Sequence, residues 1–409
     1  MAQAKGTGWV FLLCLFTAAS LMEVSAAGSA QAFMPLFIEH ELGVPAEDVP
    51  RWTGVLAAAP LMVAAPLATI WGVLADRYGG KVVILRCFVL EMFVFLLAAL
   101  SQNVWQLLGI RLTQGLTWGS NAIIVGMLAD LVPARRIGFA IGVTQMVFPV
   151  GNAIGPLVGS GLIELLGLRG MYGVYAALSA TAFLLVLFGF REPPRVRDHS
   201  WSMRGQVATV GGIAWRTPSI RMAFILFAMF SGGWSLVVPF VPVLIARLYT
   251  GDNVARAIGV TLAAFGAVAA IAAPLAGRLT DRVGPARLVT GTMLGLLLMS
   301  CGLVFAQTPE QVAIMLLVGA VPFGANNTAL YAHLVRHTPR EHMSAIMSLT
   351  PLARTAAMLV APLVGAVIAG VALQAVFVAA MVLYATAVGL SLVLARYPTP
   401  APRAEAVEP

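Results

Sequence analysis

The chain has 409 residues, of which 60% are hydrophobic and only 10% charged, and its net charge is +8. A soluble domain carries about 25% charged residues and mean hydropathy here is +0.91, so the composition excludes an ordinary soluble enzyme and points to the membrane. The basic balance, with a pI near 9.9, requires no nucleic acid. With the N-terminus placed in the cytoplasm, 19 of the 25 Lys and Arg fall in cytoplasmic segments and four outside, and Arg111 and Arg354 lie within spans. That asymmetry is the positive-inside pattern. Cys14, Cys87 and Cys301 fall in apolar runs without metal-ligand spacing, and no metal site is expected.

The first residues could pass for a signal peptide: Lys5, an apolar run from Trp9, then Val24-Ser-Ala-Ala27. Signal h-regions run only about 7–15 residues, and the apolar character here continues to Phe37. The sequence therefore predicts span 1 over roughly 9–37, since a spanning helix needs about 20 apolar residues. Spans 2 to 6 follow at about 52–75, 82–100, 105–129, 138–163 and 171–190, and spans 7 to 12 at about 222–245, 257–277, 288–306, 311–334, 344–370 and 374–395. The predicted fold class is an all-α membrane protein with 12 transmembrane helices in two pseudo-symmetric six-helix bundles. The first bundle takes 1–190, a Pro- and Arg-rich cytoplasmic linker takes 191–218, the second bundle takes 219–397, and 398–409 form a disordered cytoplasmic tail. Within the linker, Trp201–Trp215 reads either as a segment lying on the inner membrane surface or as a plain connector.

A repeat underlies this organisation. Gly72, Leu74, Asp76, Arg77 and Gly79, in the turn after span 2, match Gly277, Leu279, Asp281, Arg282 and Gly284, 205 residues on. Pro133 pairs with Pro339, Asn121 with Asn327 and Pro156-Leu-Val-Gly159 with Pro362-Leu-Val-Gly365 at an offset of 206. One unit is used twice, and two parallel halves of this kind place a substrate site between them near mid-membrane.

Residues that could carry chemistry are few. Glu23 sits midway along span 1, where an acid costs about 2.5–3.5 kcal/mol. Burial favours its neutral form, so it is a candidate to hold either a proton or a cationic substrate. Arg111, early in span 4, shares a helix face with Gln114 and Trp118. Glu91 in span 3 is a weaker coupling candidate. Arg354 in span 11, with Gln31, Gln145, Trp234, Asn326 and Asn327, could line a cavity. His333 and His337 end span 10 and are expected to be solvated. Gly151, Gly155 and Gly159 recur every fourth residue in span 5, a spacing that lets two backbones approach. Pro156 favours a bend there. This stripe reads as a moving seam or as close packing. No G-x-x-x-x-G-K-[ST] stretch is present, so no ATP site and no cofactor are expected.

The chain resembles the major facilitator superfamily over essentially its whole length. Gly72-Val-Leu-Ala-Asp-Arg-Tyr-Gly-Gly-Lys81 is similar to that superfamily's signature G-x-L-A-D-R-x-G-R-K, and Arg111-x-x-Gln114-Gly115 resembles its second motif. The spacing of Gly142, Gly151, Gly155-Pro156 and Gly159 resembles that of the antiporter branches. The resemblance implies a conformational latch made by Gly72, Asp76, Arg77, Gly79, Lys81 and Asp130, with Gly277, Asp281 and Arg282 in the second half. Gly80 stands where the signature has arginine, which leaves the usual pairing with span 4 to Arg77 or Lys81. The resemblance also implies that Arg111 helps proton movement or tunes Glu23.

The expected function follows: a secondary transporter, not an enzyme, that exports small amphipathic or cationic compounds in exchange for protons. Its partners are a small-molecule substrate, protons and the lipid bilayer. It is expected as a monomer in the cell inner membrane with both termini cytoplasmic. One carrier acid predicts one proton per turnover. Two other readings stay open: uptake or exchange of an anionic metabolite held by Arg111 and Arg354, and a membrane sensor that does not transport.

Overall fold

The computed structural model describes residues 8–133, 136–192, 217–338 and 343–397, with the side chains of Asp76 and Asp130 outside that description. The Trp201–Trp215 segment and the tail from 398 also lie outside it. The described residues form helices and no strands. Lipid offers no partners for backbone polar groups, so a spanning segment must satisfy its own.

The helices are α1 (Gly8–His40), α2 (Val49–Tyr78), α3 (Gly80–Leu100), α4 (Val104–Gln114), α5 (Ser120–Leu131) and α6 (Ile137–Gly189). They continue as α7 (Pro218–Val237), α8 (Val241–Leu248), α9 (Val254–Val283), α10 (Pro285–Phe305), α11 (Pro309–His337), α12 (Met343–Ala369) and α13 (Leu373–Leu394). Three of them depart from the predicted spans. Span 4 is broken into α4 and α5 by a short 3-10 turn, Gly115–Thr117, an extended Trp118 and Gly119 at φ 108°. Spans 5 and 6 form one element, α6, which folds back at Gly167, where φ is 74°. Span 7 is divided into α7 and α8 at 238–240. Counted as passes, with α4–α5 and α7–α8 each one pass and α6 two, the helices are consistent with twelve crossings.

The sequence repeat is a structural repeat. α2 and α9 are both 30 residues long, α3 and α10 both 21, and each pair is offset by 205. The turns between them match as well: Gly79 has φ 99° and ψ 146°, and Gly284 has φ 90° and ψ 145°. That left-handed region suits glycine, since it has no Cβ.

The halves meet where α2 packs on α12 and α9 on the first arm of α6. A Cβ placed on Gly54 of α2 would stand 2.6 Å from the Pro362 carbonyl oxygen, and one on Gly259 of α9 would stand 2.6 Å from that of Pro156. Gly54 and Gly259 are 205 apart, and Pro156 and Pro362 are 206 apart, so one contact is made twice. Both contacts lie near the end of the bundle that carries the α1–α2 loop, called here the far end. The Arg247 guanidinium donates to the Ala46 carbonyl there, and the Asn253 amide donates to Glu164.

The apolar core divides in the same way. The far-end parts of the first half, such as Phe33, Phe37, Leu56 and Tyr172, share one cluster with the second half. Phe16, Ile84, Phe88, Met127, Val186 and Phe190, at the end where the chain begins, form a second cluster confined to the first half. The halves are thus joined at the far end; the opposite end, which bears the termini, is called here the terminal end.

Gly259→Val would force about 1–3 kcal/mol of overpacking against Pro156 and hold the far end apart. Alkylation of a cysteine placed at Ser160, applied from the far side, is expected to rise several-fold in this variant. Unchanged reactivity would show that the approach of α9 to α6 does not govern closure.

Candidate functional site

Polar side chains converge on the break between α4 and α5. Gly115 allows α2 to press against the break, since a Cβ there would stand 2.7 Å from the Val63 side chain and would collide with the Pro60 carbonyl. The carbonyls released by the break find other donors: Thr117 Oγ1 donates to Gln114 O at 2.9 Å and Arg86 Nη2 to Trp118 O at 3.2 Å.

Glu23 of α1 faces the start of α5. Ser120 Oγ donates to its two carboxylate oxygens at 3.1 and 3.4 Å. Ser120 is the first residue of α5, so the carboxyl lies at the positive end of a half-helix at mid-membrane depth. That arrangement favours an anion there, while burial opposes it.

Arg111 of α4 does not contact Glu23. Its Nε donates to Leu56 O at 3.1 Å, Nη1 to Gln114 Oε1 at 2.7 Å and Nη2 to Gln31 Oε1 at 2.6 Å. The structure therefore joins Arg111, Gln31 and Gln114 across α1, α2 and α4. Any influence of Arg111 on Glu23 acts through space or through α1, which carries both Glu23 and Gln31.

A third group lies on α3. The Arg86 guanidinium sits over the Trp71 ring, 3.2 Å from its centroid, and Nη2 donates to Cys87 Sγ at 3.0 Å. Trp71 in turn packs on Gly119. Arg86 is thus folded against the helix break. Arg86 Nε and Nη1, Trp71 Nε1 and Glu91 Oε2 are buried without hydrogen-bond partners.

In the second half, Trp234 is stacked on Phe265, with centroids 4.8 Å apart and planes at 16°, and lies 4.2 Å from the Phe323 ring. Beside this wall, Asn326 accepts from Thr292 Oγ1 at 2.7 Å, while Asn326 Nδ2 and Asn327 Oδ1 have no partner. Arg354 is half-buried with its Nε unpaired. Gln145 and Trp118 are exposed. His333, expected in solvent, is fully buried: Ser219 Oγ lies 2.8 Å from its Nε2 and the His337 ring stacks on it at 4.0 Å. The start of α7 covers it, and the pattern of α11 alone does not reveal that contact.

The turn between α2 and α3 makes further contacts with the end of α6. The Lys81 ammonium donates to the carbonyls of Leu187 and Phe190 at the end of α6. The Glu192 carboxylate accepts from the backbone N–H groups of Gly80, at 2.8 Å, and Lys81, at 2.9 Å. Each charge thus caps the helix terminus of opposite sign. Gly80 packs closely here: a Cβ would stand 2.6 Å from the Met127 sulfur, so a side chain would have to displace that methionine. Asp76 and Asp130, the acids of the expected latch, lie outside the described side chains. Arg77 stands 5.3 Å from the Tyr78 ring centroid. In the second half Asp281 pairs with Arg336 at 3.1 Å; Arg282 is exposed. Arg336 is 206 residues after Asp130, so the repeat could have revealed it. Gly72 and Gly277 have open space where a side chain would be, as does Gly142.

The glycine stripe joins α6 to α1 within the first half. A Cβ on Gly151 would stand 2.7 Å from the Val24 side chain, and side chains on Gly155 and Gly159 would collide with Ser25 and Ser29. The face of α6 that meets the other half is instead Ala153, Pro156 and Ser160.

A family model described as Major Facilitator Superfamily matches residues 11–350 and 224–409. Among curated proteins, the chain is 28% identical to a multi-drug resistance efflux pump PmrA homolog of Lactococcus lactis subsp. lactis (strain IL1403), covering 90% of this chain and 91% of the relative. It is 30% identical to multidrug resistance protein MdtG of Enterobacter lignolyticus (strain SCF1), covering 88% and 87%. Among solved structures, nucleoside transporter NupG superposes with TM-score 0.76 at 11% identity, covering 95% of this chain and 100% of that one. A bacterial homolog to the human lysosomal transporter Spinster, inward-facing and unoccupied, gives TM-score 0.76 at 16% identity and covers 97% and 98%.

Glu192→Ala removes the acceptor at the start of α3. The expected cost is about 1–2 kcal/mol, read as a fall of a few degrees in the unfolding midpoint of detergent-solubilised protein. An unchanged midpoint would mean that the cap is replaced by water.

Proposed function

The chain belongs to the Major Facilitator Superfamily, and on that premise we propose that it exports small amphipathic or cationic compounds in exchange for protons. The observation that carries the reading is Glu23, a mid-membrane carboxyl bonded to Ser120 at the start of a half-helix. A carboxylate there attracts a cation, and protonation releases it, so one group serves both ions in turn. The aromatic wall of Trp234, Phe265 and Phe323 provides the apolar and π surface that a lipophilic cation favours. The relatives named as multidrug resistance proteins support the same substrate class.

In this proposal the two bundles, 1–190 and 219–397, rock about their far-end contacts, and the terminal end is cytoplasmic, as the distribution of Lys and Arg suggests. The cleft would then be open to the cytoplasm, ready to load substrate. A bacterial inner membrane and a monomeric state complete the reading. Each pH unit across the membrane is worth about 1.4 kcal/mol per proton. Uptake of an anionic metabolite is less favoured, because each nitrogen of Arg111 already donates to a group of the protein, Leu56, Gln114 or Gln31.

The test uses liposomes with an internal pH dye and an imposed pH gradient. Ethidium should trigger proton movement with the wild-type protein and at least tenfold less with Glu23→Gln. Movement that survives the substitution would remove Glu23 from the centre of coupling. Movement driven by organic anions alone would overturn the export reading.

A further inference from the structure

Away from the helix break, at the far end of the first half, lies a cavity of about 320 Å³. It is lined by Asp48, Arg51, Trp52 and Val55 at the start of α2 and by Trp105 and Leu108 of α4. The first four fall at i, i+3, i+4 and i+7 and so share one face. α2 and α4 pack on each other and both begin at the far end, so the cavity sits where the helices enter the membrane. Asp48 and Arg51 form its rim, and Val55 and Leu108, further along their helices, form an apolar floor. The protein makes no use of the two rim charges. Asp48 gives α2 no capping hydrogen bond. Neither its carboxylate nor the Arg51 guanidinium has a hydrogen bond or an ion pair among the described residues, and the two do not pair with each other. Trp52 and Trp105 meet edge to face, with centroids 4.8 Å apart and planes at 88°. Trp105 is 68% exposed, so no described helix covers it. The stretches outside the described residues all adjoin helix ends at the terminal end, across the membrane from this cavity.

We propose that this cavity binds the headgroup of a phospholipid from the far-end leaflet, one that carries a phosphate and a primary ammonium, the chemistry of phosphatidylethanolamine. Arg51 donates to the phosphate, a pairing that suits the guanidinium fork. Asp48 accepts from the ammonium, and the indole pair offers that cation a π face. The acyl chains leave over Val55 and Leu108 into the bilayer. Tryptophan favours this depth, where an apolar ring meets the headgroups. Two opposite charges one turn apart match a zwitterion. An anionic headgroup would be attracted by Arg51 and repelled by Asp48. The inference stands apart from the export reading: it uses no residue of the Glu23 site and its test needs no transport.

The experiment adds phosphatidylethanolamine or phosphatidylglycerol, with matched acyl chains, to detergent-purified protein and measures the affinity of the first bound lipid by native mass spectrometry. The wild type should prefer phosphatidylethanolamine by about fivefold, the upper range for an exposed ion pair. Arg51→Gln should weaken both lipids. Asp48→Asn should weaken phosphatidylethanolamine by about fivefold and leave phosphatidylglycerol unchanged or tighter. That split between headgroups is a result a merely structural role would not give. Both side chains are exposed, so the unfolding midpoints of the lipid-free variants should match the wild type. Phosphatidylglycerol bound as tightly as phosphatidylethanolamine by the wild type, or no loss of phosphatidylethanolamine in Asp48→Asn, would overturn the proposal. Displacement of the lipid by ethidium would overturn it in favour of a substrate site. A wild-type dimer that both substitutions dissolve would overturn it in favour of a contact between copies.

Discussion

Two helix approaches, Gly54 on Pro362 and Gly259 on Pro156, hold the two halves of this molecule together. Lipid tails are as apolar as leucine, so no hydrophobic force pulls membrane helices together, and close packing must do it. Bare glycine against a proline-bent helix gives the closest packing available. A third approach, Gly266 on Ala153, continues the same α9–α6 seam toward mid-depth. The first half keeps a core cluster of its own at the terminal end, separate from the cluster that runs through the second half. In the export proposal, the polar groups at mid-depth face a cleft between the halves that opens at the terminal end.

Within that cleft, the break between α4 and α5 decides the electrostatics. Ionising an acid at mid-membrane costs about 2.5–3.5 kcal/mol. A helix N-terminus returns about 0.3–1 kcal/mol, and up to about 2 in partly buried geometry; a hydrogen bond to a charged group returns about 1.5–3. These opposing amounts are of similar size, so neither form of Glu23 is overwhelmingly favoured, and a proton or a cation can tip the balance. An unbroken span 4 would have had no helix terminus to offer Glu23. The same break frees the Trp118 carbonyl, which anchors Arg86 over the Trp71 ring.

The sequence made the fold legible because a spanning helix leaves a long apolar run and because the repeat is literal. The offset of 205 between the Gly72 and Gly277 turns recurs as the offset between whole helices. The site was legible only in part. Glu23 and Arg111 stand out, since acids and arginines are rare in apolar runs. Their partners do not: Ser120 is one small residue among many, and its role comes from Gly119 adopting a left-handed conformation. Apolar periodicity cannot register such a break. Lys81, one of the two cations offered for the latch, caps α6, and Glu192, far along the chain, completes the turn. His333 was placed in solvent because it stands at the end of span 10, whereas Ser219, 114 residues away, covers it. In each case the deciding partner is distant in sequence and carries no pattern of its own.

The central claim is that proton and substrate compete for the carboxyl at the start of α5. Its most direct test is calorimetry of purified protein in detergent, with ethidium titrated at several pH values in buffers of different ionisation enthalpy. The account predicts that binding weakens as pH falls and that each ethidium bound releases at least one proton. Affinity independent of pH, with no proton released in any buffer, would contradict it.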